Sequence, residues 1–137
     1  MSFSNYTEKA LLDHMNGVAT FTPPTNKYVA LYKSDPGEAN SGTEVSASVD
    51  DTAYARQLIT FAATTLATGI ALSSNAQTFA AVVYGSGAAA YTVTHIGIFD
   101  ALTAGNLLES TALGASVSRT VGKTLAFDVG AITVALD

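Results

Sequence analysis

The stretch that decides the fold of this chain is YTVTHIGIFDALTAGNLLESTAL, residues 91–113. Its opening part is rich in β-branched and aromatic side chains, which predicts a strand from Tyr91 to Phe99. A second strand is predicted at 107–113, and Gly105-Asn106 supplies the turn between the two strands. Gly97 permits a close approach of neighbouring groups within the first strand. The stretch therefore predicts a β-hairpin at the centre of a sandwich.

Other parts of the chain repeat this strand signature. Seven or more short strands separated by turn residues are typical of sandwiches and barrels. We therefore predict an all-β fold, a single jelly-roll-like β-sandwich. In the last strand, bulky Ile132, Val134 and Leu136 alternate with small residues, so the bulky side is expected to face the core. Outside the hairpin, strands are predicted at 28–32, 54–61, 77–83, 124–129 and 131–136, with weaker ones at 18–21 and 69–72.

A short helix is predicted at residues 4–16, ahead of the first strand. The Asn5 side chain is suited to cap its first turn, with Glu8 reaching back. Asn16-Gly17 supplies a stop able to adopt positive φ. Because a helix of about three turns is marginal alone, we expect it to dock on the sheet or on a partner subunit. Its apolar stripe consists of Leu11, Leu12 and Met15.

The length of 137 residues suits one domain, so we expect residues 1–137 to fold as one unit. The chain has no cysteine, which excludes disulfides and sulfur-ligated metal sites. Its N-terminal segment lacks the basic start and apolar core of a secretory signal, so export by that route is not expected. The most apolar stretch, residues 79–91, is too short for a membrane-spanning helix, which predicts no membrane partner.

The middle of the chain is almost free of charge. From Gln57 to Phe99, 43 residues contain no Asp, Glu, Lys or Arg, and only 12% of the whole chain is charged. Soluble domains are typically about a quarter charged, and interface cores are depleted in charge. The pattern favours a subunit that packs into a large assembly. The alternative is a monomer with an uncharged surface.

The acidic residues concentrate in one long loop, predicted at residues 33–53. Loops of this length are often functional, so we expect this one to be exposed and to face a partner. A bound hard cation is a further alternative, but the spacing of a calcium loop is missing, and a solvated acidic loop is the preferred interpretation. The candidate partner-facing residues are Asp35, Glu38, Glu44, Asp50 and Asp51.

Catalysis, cofactor binding and nucleic-acid binding are not predicted. The net charge of −5 and the scattered basic residues disfavour phosphate contacts. The two histidines, His14 and His95, lie in no recognisable nucleophile or zinc motif, and His95 is expected to pack on the sheet by a hydrogen bond. Residues 85–90 fit Gly-x-Gly-x-x-Ala, but strand sequence follows them, so a hairpin turn is the preferred interpretation. We expect no metal, no cofactor and no enzymatic activity.

Several short pieces, in order along nearly the whole chain, resemble a family of small tailed-bacteriophage proteins described as tail-fibre-like or virion structural proteins. The chain departs from that family at Asp50-Asp51-Thr52-Ala53, where a glycine run is usual, and at Ala90-Tyr91, where a Trp-Gly pair is common. The matching pieces are Phe3-Ser4-Asn5-Tyr6, Leu11-Leu12-Asp13-His14, Thr22-Pro23-Pro24, Tyr28-Val29-Ala30-Leu31-Tyr32, Asp35-Pro36-Gly37-Glu38, Gly42-Thr43-Glu44-Val45, Tyr54-Ala55-Arg56, Thr94-His95-Ile96-Gly97-Ile98-Phe99-Asp100-Ala101, Gly105-Asn106-Leu107-Leu108, Gly130-Ala131-Ile132-Thr133-Val134 and Leu136-Asp137.

The resemblance implies a non-enzymatic structural protein of a tailed-phage virion, assembled in the host bacterial cytoplasm. Together with the neutral surface it predicts a symmetric homo-oligomer, with a trimer as the first expectation, attached to other virion proteins of the capsid or tail. Both a tail-fibre-like and a capsid-decorating, or cement, role are open. The alternative is a module that binds a host glycan or receptor through the acidic loop and Tyr28, Tyr32 and Tyr54. Arg56 is expected to pair with an acid of the loop or of a neighbouring subunit.

Overall fold

A five-stranded antiparallel sheet organises the fold. The computed structural model describes residues 1–64 and 69–135. In chain order its elements are β1 (Ser2–Phe3), α1 (Asn5–Met15), β2 (Lys27–Tyr32), β3 (Gln57–Ile59), β4 (Ile70–Leu72), β5 (Gln77–Phe79), β6 (Tyr91–Phe99), β7 (Leu107–Arg119), β8 (Leu125–Phe127) and β9 (Thr133–Ala135). The main sheet has the order β1-β7-β6-β2-β3.

The predicted hairpin is confirmed as the pair β6–β7 at the middle of the main sheet. Its turn is held by Asp100, whose Oδ1 accepts the Asn106 amide at 2.7 Å. Gly105 has φ +75°, and a Cβ atom there would lie 2.4 Å from the same oxygen. Only glycine therefore fits this turn without strain.

A second layer covers one face of the main sheet and completes the sandwich. It consists of two separate ribbons, β4–β9 and β5–β8, whereas a jelly roll has eight strands in two sheets. Side chains from both layers form one core, in which Phe79 and Ile132 of the second layer belong with Val29 and Ile98 of the main sheet. The prediction of an all-β sandwich with a short N-terminal helix is confirmed.

Strand positions agree with the sequence pattern better than strand lengths do. The predicted strand at 54–61 shortens to β3, and the strand at 107–113 extends to Arg119. An irregularity of three extra residues interrupts β7, because Val93 pairs with Val117 while His95 pairs with Ala112. Residues 18–21 form no strand, so that weaker prediction is wrong, and β1 was not predicted. Ile132 and Val134 turn toward the core as predicted, and Leu136 lies outside the described residues.

The helix is confirmed within one residue at each end, but its cap is Ser4 rather than Asn5. The Ser4 Oγ accepts the Thr7 amide at 3.3 Å and also donates to the Leu107 carbonyl oxygen. The Thr7 hydroxyl donates to the Leu108 carbonyl oxygen at 2.8 Å. These two buried hydroxyls fix the helix to β7.

The apolar stripe of α1 docks only in part. Leu11 is half-buried, whereas the side chains of Leu12 and Met15 are 58% and 79% exposed. Asn16 ends the helix, and Gly17 follows with φ +70°, which confirms the predicted stop. No helix among the described residues is both long and apolar enough to cross a membrane.

Candidate partner-contact surfaces

The long acidic loop, residues 33–53, is folded against the sheet. Lys33 donates its amide to the Thr43 carbonyl oxygen at 2.8 Å, and the Val45 amide donates to the Leu31 carbonyl oxygen at 2.9 Å. The first half of the loop thus returns along β2. The loop is therefore folded along the sheet, yet about half of its residues are exposed as expected, and only Pro36, Val45 and Asp51 are buried.

A glycine-rich segment holds the second half of this loop. The Ser86 amide donates to the Ser48 carbonyl oxygen at 2.9 Å, and the Gly87 amide donates to the Val49 carbonyl oxygen at 2.8 Å. A Cβ atom on Gly85 would lie 2.5 Å from the Ser48 oxygen, so glycine is required there. The hairpin-turn interpretation of residues 85–90 is wrong, because these residues join no pair of hydrogen-bonded strands.

Glu44 and Arg56 form a bidentate ion pair at the start of the loop's return. The Arg56 Nε donates to Glu44 Oε1 at 2.9 Å, and its Nη2 donates to Oε2 at 2.7 Å. The guanidinium carbon lies 3.5 Å from the centre of the Phe99 ring, an arrangement that adds a cation–π contact. The predicted pairing of Arg56 with a loop acid is confirmed, within one chain.

Tyr54 completes this cluster. The Tyr54 hydroxyl donates to Glu44 Oε1 at 2.8 Å and accepts the Leu31 amide at 3.1 Å. Burial, and then the Glu44 charge, raise the pKa of Tyr54 far above the ordinary value, so it stays neutral. Burial lowers the pKa of Arg56, but the hydrogen bond and charge of Glu44 raise it by more, so it stays charged. Tyr54 and Arg56 therefore keep one protonation state each over the physiological range.

Asp50 and Asp51 also bond inside the protein. Asp50 pairs with Lys33, with 2.8 Å between Oδ2 and Nζ. Asp51 is 1% exposed, accepts the Tyr91 hydroxyl at 2.9 Å, and lies 4.0 Å from the Nη2 of buried Arg119. Neither carboxylate is free to face a partner in this structure, so both act as internal ties for the loop.

The remaining two candidate acids point outward. Asp35 and Glu38 line a surface groove of about 550 Å³ together with His95 of β6. The His95 Nε2 lies 3.7 Å from Asp35 Oδ1, and its Nδ1 shares a hydrogen bond with the Thr94 hydroxyl at 2.8 Å. The hydrogen-bonded packing predicted for His95 is confirmed. Within residues 1–64 and 69–135, no three His, Cys, Asp or Glu side chains cluster as metal ligands would.

A second surface, free of charged side chains, lies on the outer side of β3, β4 and β9. Ile70 pairs with Ala135 and Leu72 with Thr133, while Phe61 bridges to Ser73. This register places alternate residues of three neighbouring segments on one side. The side chains that share this side, called the neutral face below, are exposed and belong to Leu58, Thr60, Ala62, Ile70, Leu72, Ser74 and Thr133.

The alternation of bulky and small residues in the sequence did not predict the neutral face. Ile70 and Leu72 are 43% and 45% exposed, while the small Ala71 between them turns inward. The rule that the bulky side faces the core therefore fails in β4. The signal that does point here is the absence of charge from Gln57 to Phe99.

A β-sandwich that uses its ion pairs to hold its own loop, and leaves a broad uncharged outer face, has the construction of a structural subunit. The chain belongs to the family described as Podophage GP4 fiber I protein gp80, whose model matches residues 2–135. This match confirms the resemblance to phage tail-fibre and virion structural proteins. The chain is thus a structural component of a phage virion. No curated protein matches it.

Proposed function

We propose that this chain is a non-enzymatic subunit of a symmetric homotrimer, assembled in the host cytoplasm and attached to other proteins of the virion. The neutral face carries the proposal. Three of its side chains, Leu58, Ile70 and Leu72, are each more than 40% exposed, and no charged residue lies among them. Apolar patches without charge are typical of surfaces that other protein covers.

The position of the neutral face supports contact between copies. The β4–β9 ribbon has two strands only; β4 is bonded on its other side to the segment after β3, so β9 is the outer strand. Natural proteins usually protect such edges with charge or proline. Strand β9 contains neither, which is consistent with an edge that a neighbouring subunit covers. The outer edge of β3 is bonded within the chain, because Asn75 donates to the Leu58 carbonyl oxygen and accepts the Thr60 amide.

A tail location is favoured over a capsid-decorating role by the fibre description of the family. The glycan-binding alternative loses support because two of its three tyrosines, Tyr32 and Tyr54, are engaged, whereas the half-buried Tyr28 keeps it open. Tyr32 is 1% exposed and stacks against Phe99, and Tyr54 stacks against Phe79 with 6.1 Å between the ring centres. Neither ring offers a free face of the kind that stacks on a sugar.

Charging the neutral face tests the proposal. Leu72→Glu places a carboxylate at the centre of the face, where burial against a second copy would desolvate it, so we expect the trimer to dissociate at least tenfold more readily. Sedimentation velocity measures the change. Val18→Glu is the matched control, because Val18 is an exposed apolar residue outside the face. Equal trimer stability of both variants would overturn the proposal.

A further inference from the structure

A buried carboxyl group lies between the two layers and has no role in the contacts described so far. Glu109 of β7 is 7% exposed, and its Oε2 has no hydrogen-bond partner within residues 1–64 and 69–135. Glu109 pairs with Ile98, and paired residues of antiparallel strands project on the same side. Because Ile98 belongs to the core, the carboxyl group lies on the core side of the sheet. A buried acceptor without a donor is energetically costly, so a donor from outside the chain would stabilise this position.

Glu109 lines a groove of about 420 Å³ at the end of the sandwich, called the Glu109 groove below. Lys27 lies on the same groove, but its Nζ donates to the Pro24 carbonyl oxygen at 3.0 Å. An occupant of this groove must therefore combine a hydrogen-bond donor with an apolar body. The apolar walls include Phe3, Leu11, Phe21, Phe61, Ala71 and Val134.

The chain carries a group of this kind at the other end of β7. Lys123 is exposed, and within the described residues it is the one basic residue whose side chain makes no hydrogen bond or ion pair. It ends the turn 120–123, in which the Lys123 amide donates to the Thr120 carbonyl oxygen at 3.0 Å and Gly122 has φ +78°. Val121 in this turn is 58% exposed. The turn therefore presents a cation beside an apolar side chain.

One chain cannot join its own turn to its own groove. Glu109 pairs with Ile98, whereas Arg119, just before the turn, pairs with Tyr91. Seven residue steps along β6 separate these positions, roughly 23 Å at about 3.3 Å per residue. This separation exceeds the reach of a lysine side chain. A contact between turn and groove must therefore join two copies head to tail, and such contacts close into rings when the rotation allows.

We propose that the Glu109 groove of one copy receives the turn 120–123 of the next copy, with Lys123 donating to the Glu109 carboxylate and Val121 packing on the apolar wall. This inference rests on the proposed homotrimer and specifies one of its contacts. Complementary groups support it: the Glu109 Oε2 has no donor although Lys27 and the Met1 amino group carry positive charge near it, and Lys123 is an unpaired cation. Phe61 and Ala71 of the groove alternate with members of the neutral face along their segments, so the groove and the neutral face lie on opposite sides of these segments. The groove contact is therefore separate from the contact through the neutral face.

Lys123→Glu and Glu109→Gln test the contact in the full chain. Each is expected to weaken self-association at least tenfold in sedimentation velocity. Lys9→Glu is the matched control for Lys123→Glu, since it makes the same charge change on an exposed residue of α1. A head-to-tail contact also predicts rescue on mixing. The Lys123→Glu chain keeps its groove and the Glu109→Gln chain keeps its turn, so together they form 1:1 dimers and no larger species.

Three outcomes would overturn this contact. If wild type forms trimers and Lys123→Glu forms them equally well, the contact is wrong while the proposed trimer stands. If only Glu109→Gln weakens the trimer, another part of the neighbouring copy occupies the groove. If wild type is monomeric but binds phage particles through the groove, the occupant is another virion protein. Circular dichroism melts of each variant separate loss of contact from loss of folding.

Discussion

At the scale of single residues, the loop acids act as internal ties more than as contact residues. Glu44 accepts hydrogen bonds from Arg56 and Tyr54. Asp51 accepts a hydrogen bond from Tyr91 and forms an ion pair with Arg119. Sequence predicted that Arg56 would pair with an acid of the loop or of a neighbouring subunit, and the loop acid is the one it meets. It could not predict which acids would be buried, since that depends on how the loop returns along β2.

Replacing Arg56 with lysine tests the ion pair. A lysine keeps the charge but loses the bidentate geometry and the hydrogen bonds to the Ala101 and Ala104 carbonyl oxygens. We expect the free energy of unfolding to fall by about 2 kcal/mol, measured by denaturant titration. Lys9→Ala removes an exposed i,i+4 pair and should change it by less than about 0.5 kcal/mol. Similar losses for both variants would contradict the assigned role.

Glu109 makes stability depend on pH in the unassembled chain. Burial raises its pKa to about 7, against the smaller opposing effects of the Met1 amino group and Lys27. The folded chain thus keeps a proton that the unfolded chain releases at lower pH. This contribution to stability is complete below about pH 4.5 and is lost as the pH rises through 7.

The variant Glu109→Gln isolates this effect, because it removes the titrating group and preserves its shape. Between pH 4.5 and pH 8, wild type should lose about 3 kcal/mol of unfolding free energy relative to the variant. Denaturant titrations at monomeric concentrations give the comparison. Parallel pH profiles would show that Glu109 titrates normally.

At the scale of elements, the sequence located strands well because turn residues and β-branched runs are local signals. It placed β6 without error, and it placed α1 within one residue. The sequence-based prediction failed where contacts between distant parts of the chain determine the local structure. β1 has two residues and exists through pairing with β7, and the irregularity in β7 depends on the partner strand. The choice of Ser4 over Asn5 as helix cap likewise follows from the hydrogen bond between Ser4 and β7.

Two alanine variants distinguish these caps. Ser4→Ala removes both the cap of α1 and the donor to the Leu107 carbonyl oxygen, so we expect a loss of about 1 to 2 kcal/mol in unfolding free energy. Asn5→Ala changes an exposed side chain and should stay within about 0.5 kcal/mol. Thermal and denaturant unfolding measure both. A larger loss for Asn5→Ala would restore the cap predicted from sequence.

At the scale of the whole molecule, composition was a better guide to function than any motif. The charge-free middle of the chain predicted a covered surface, and the neutral face lies within that region and β9. The family was also accessible from sequence, through short ordered pieces that the match over residues 2–135 confirms. The single-domain assignment, the trimer and the partner proteins stay predictions. The contacts within one chain do not determine how many copies assemble or which proteins they contact.

Sedimentation velocity of the wild-type chain over a wide concentration range tests the central claim most directly. If the neutral face exists to be covered by other copies, the chain should sediment with the mass of three subunits and dissociate only on strong dilution. A chain that remains a monomer at the highest attainable concentration would contradict the account.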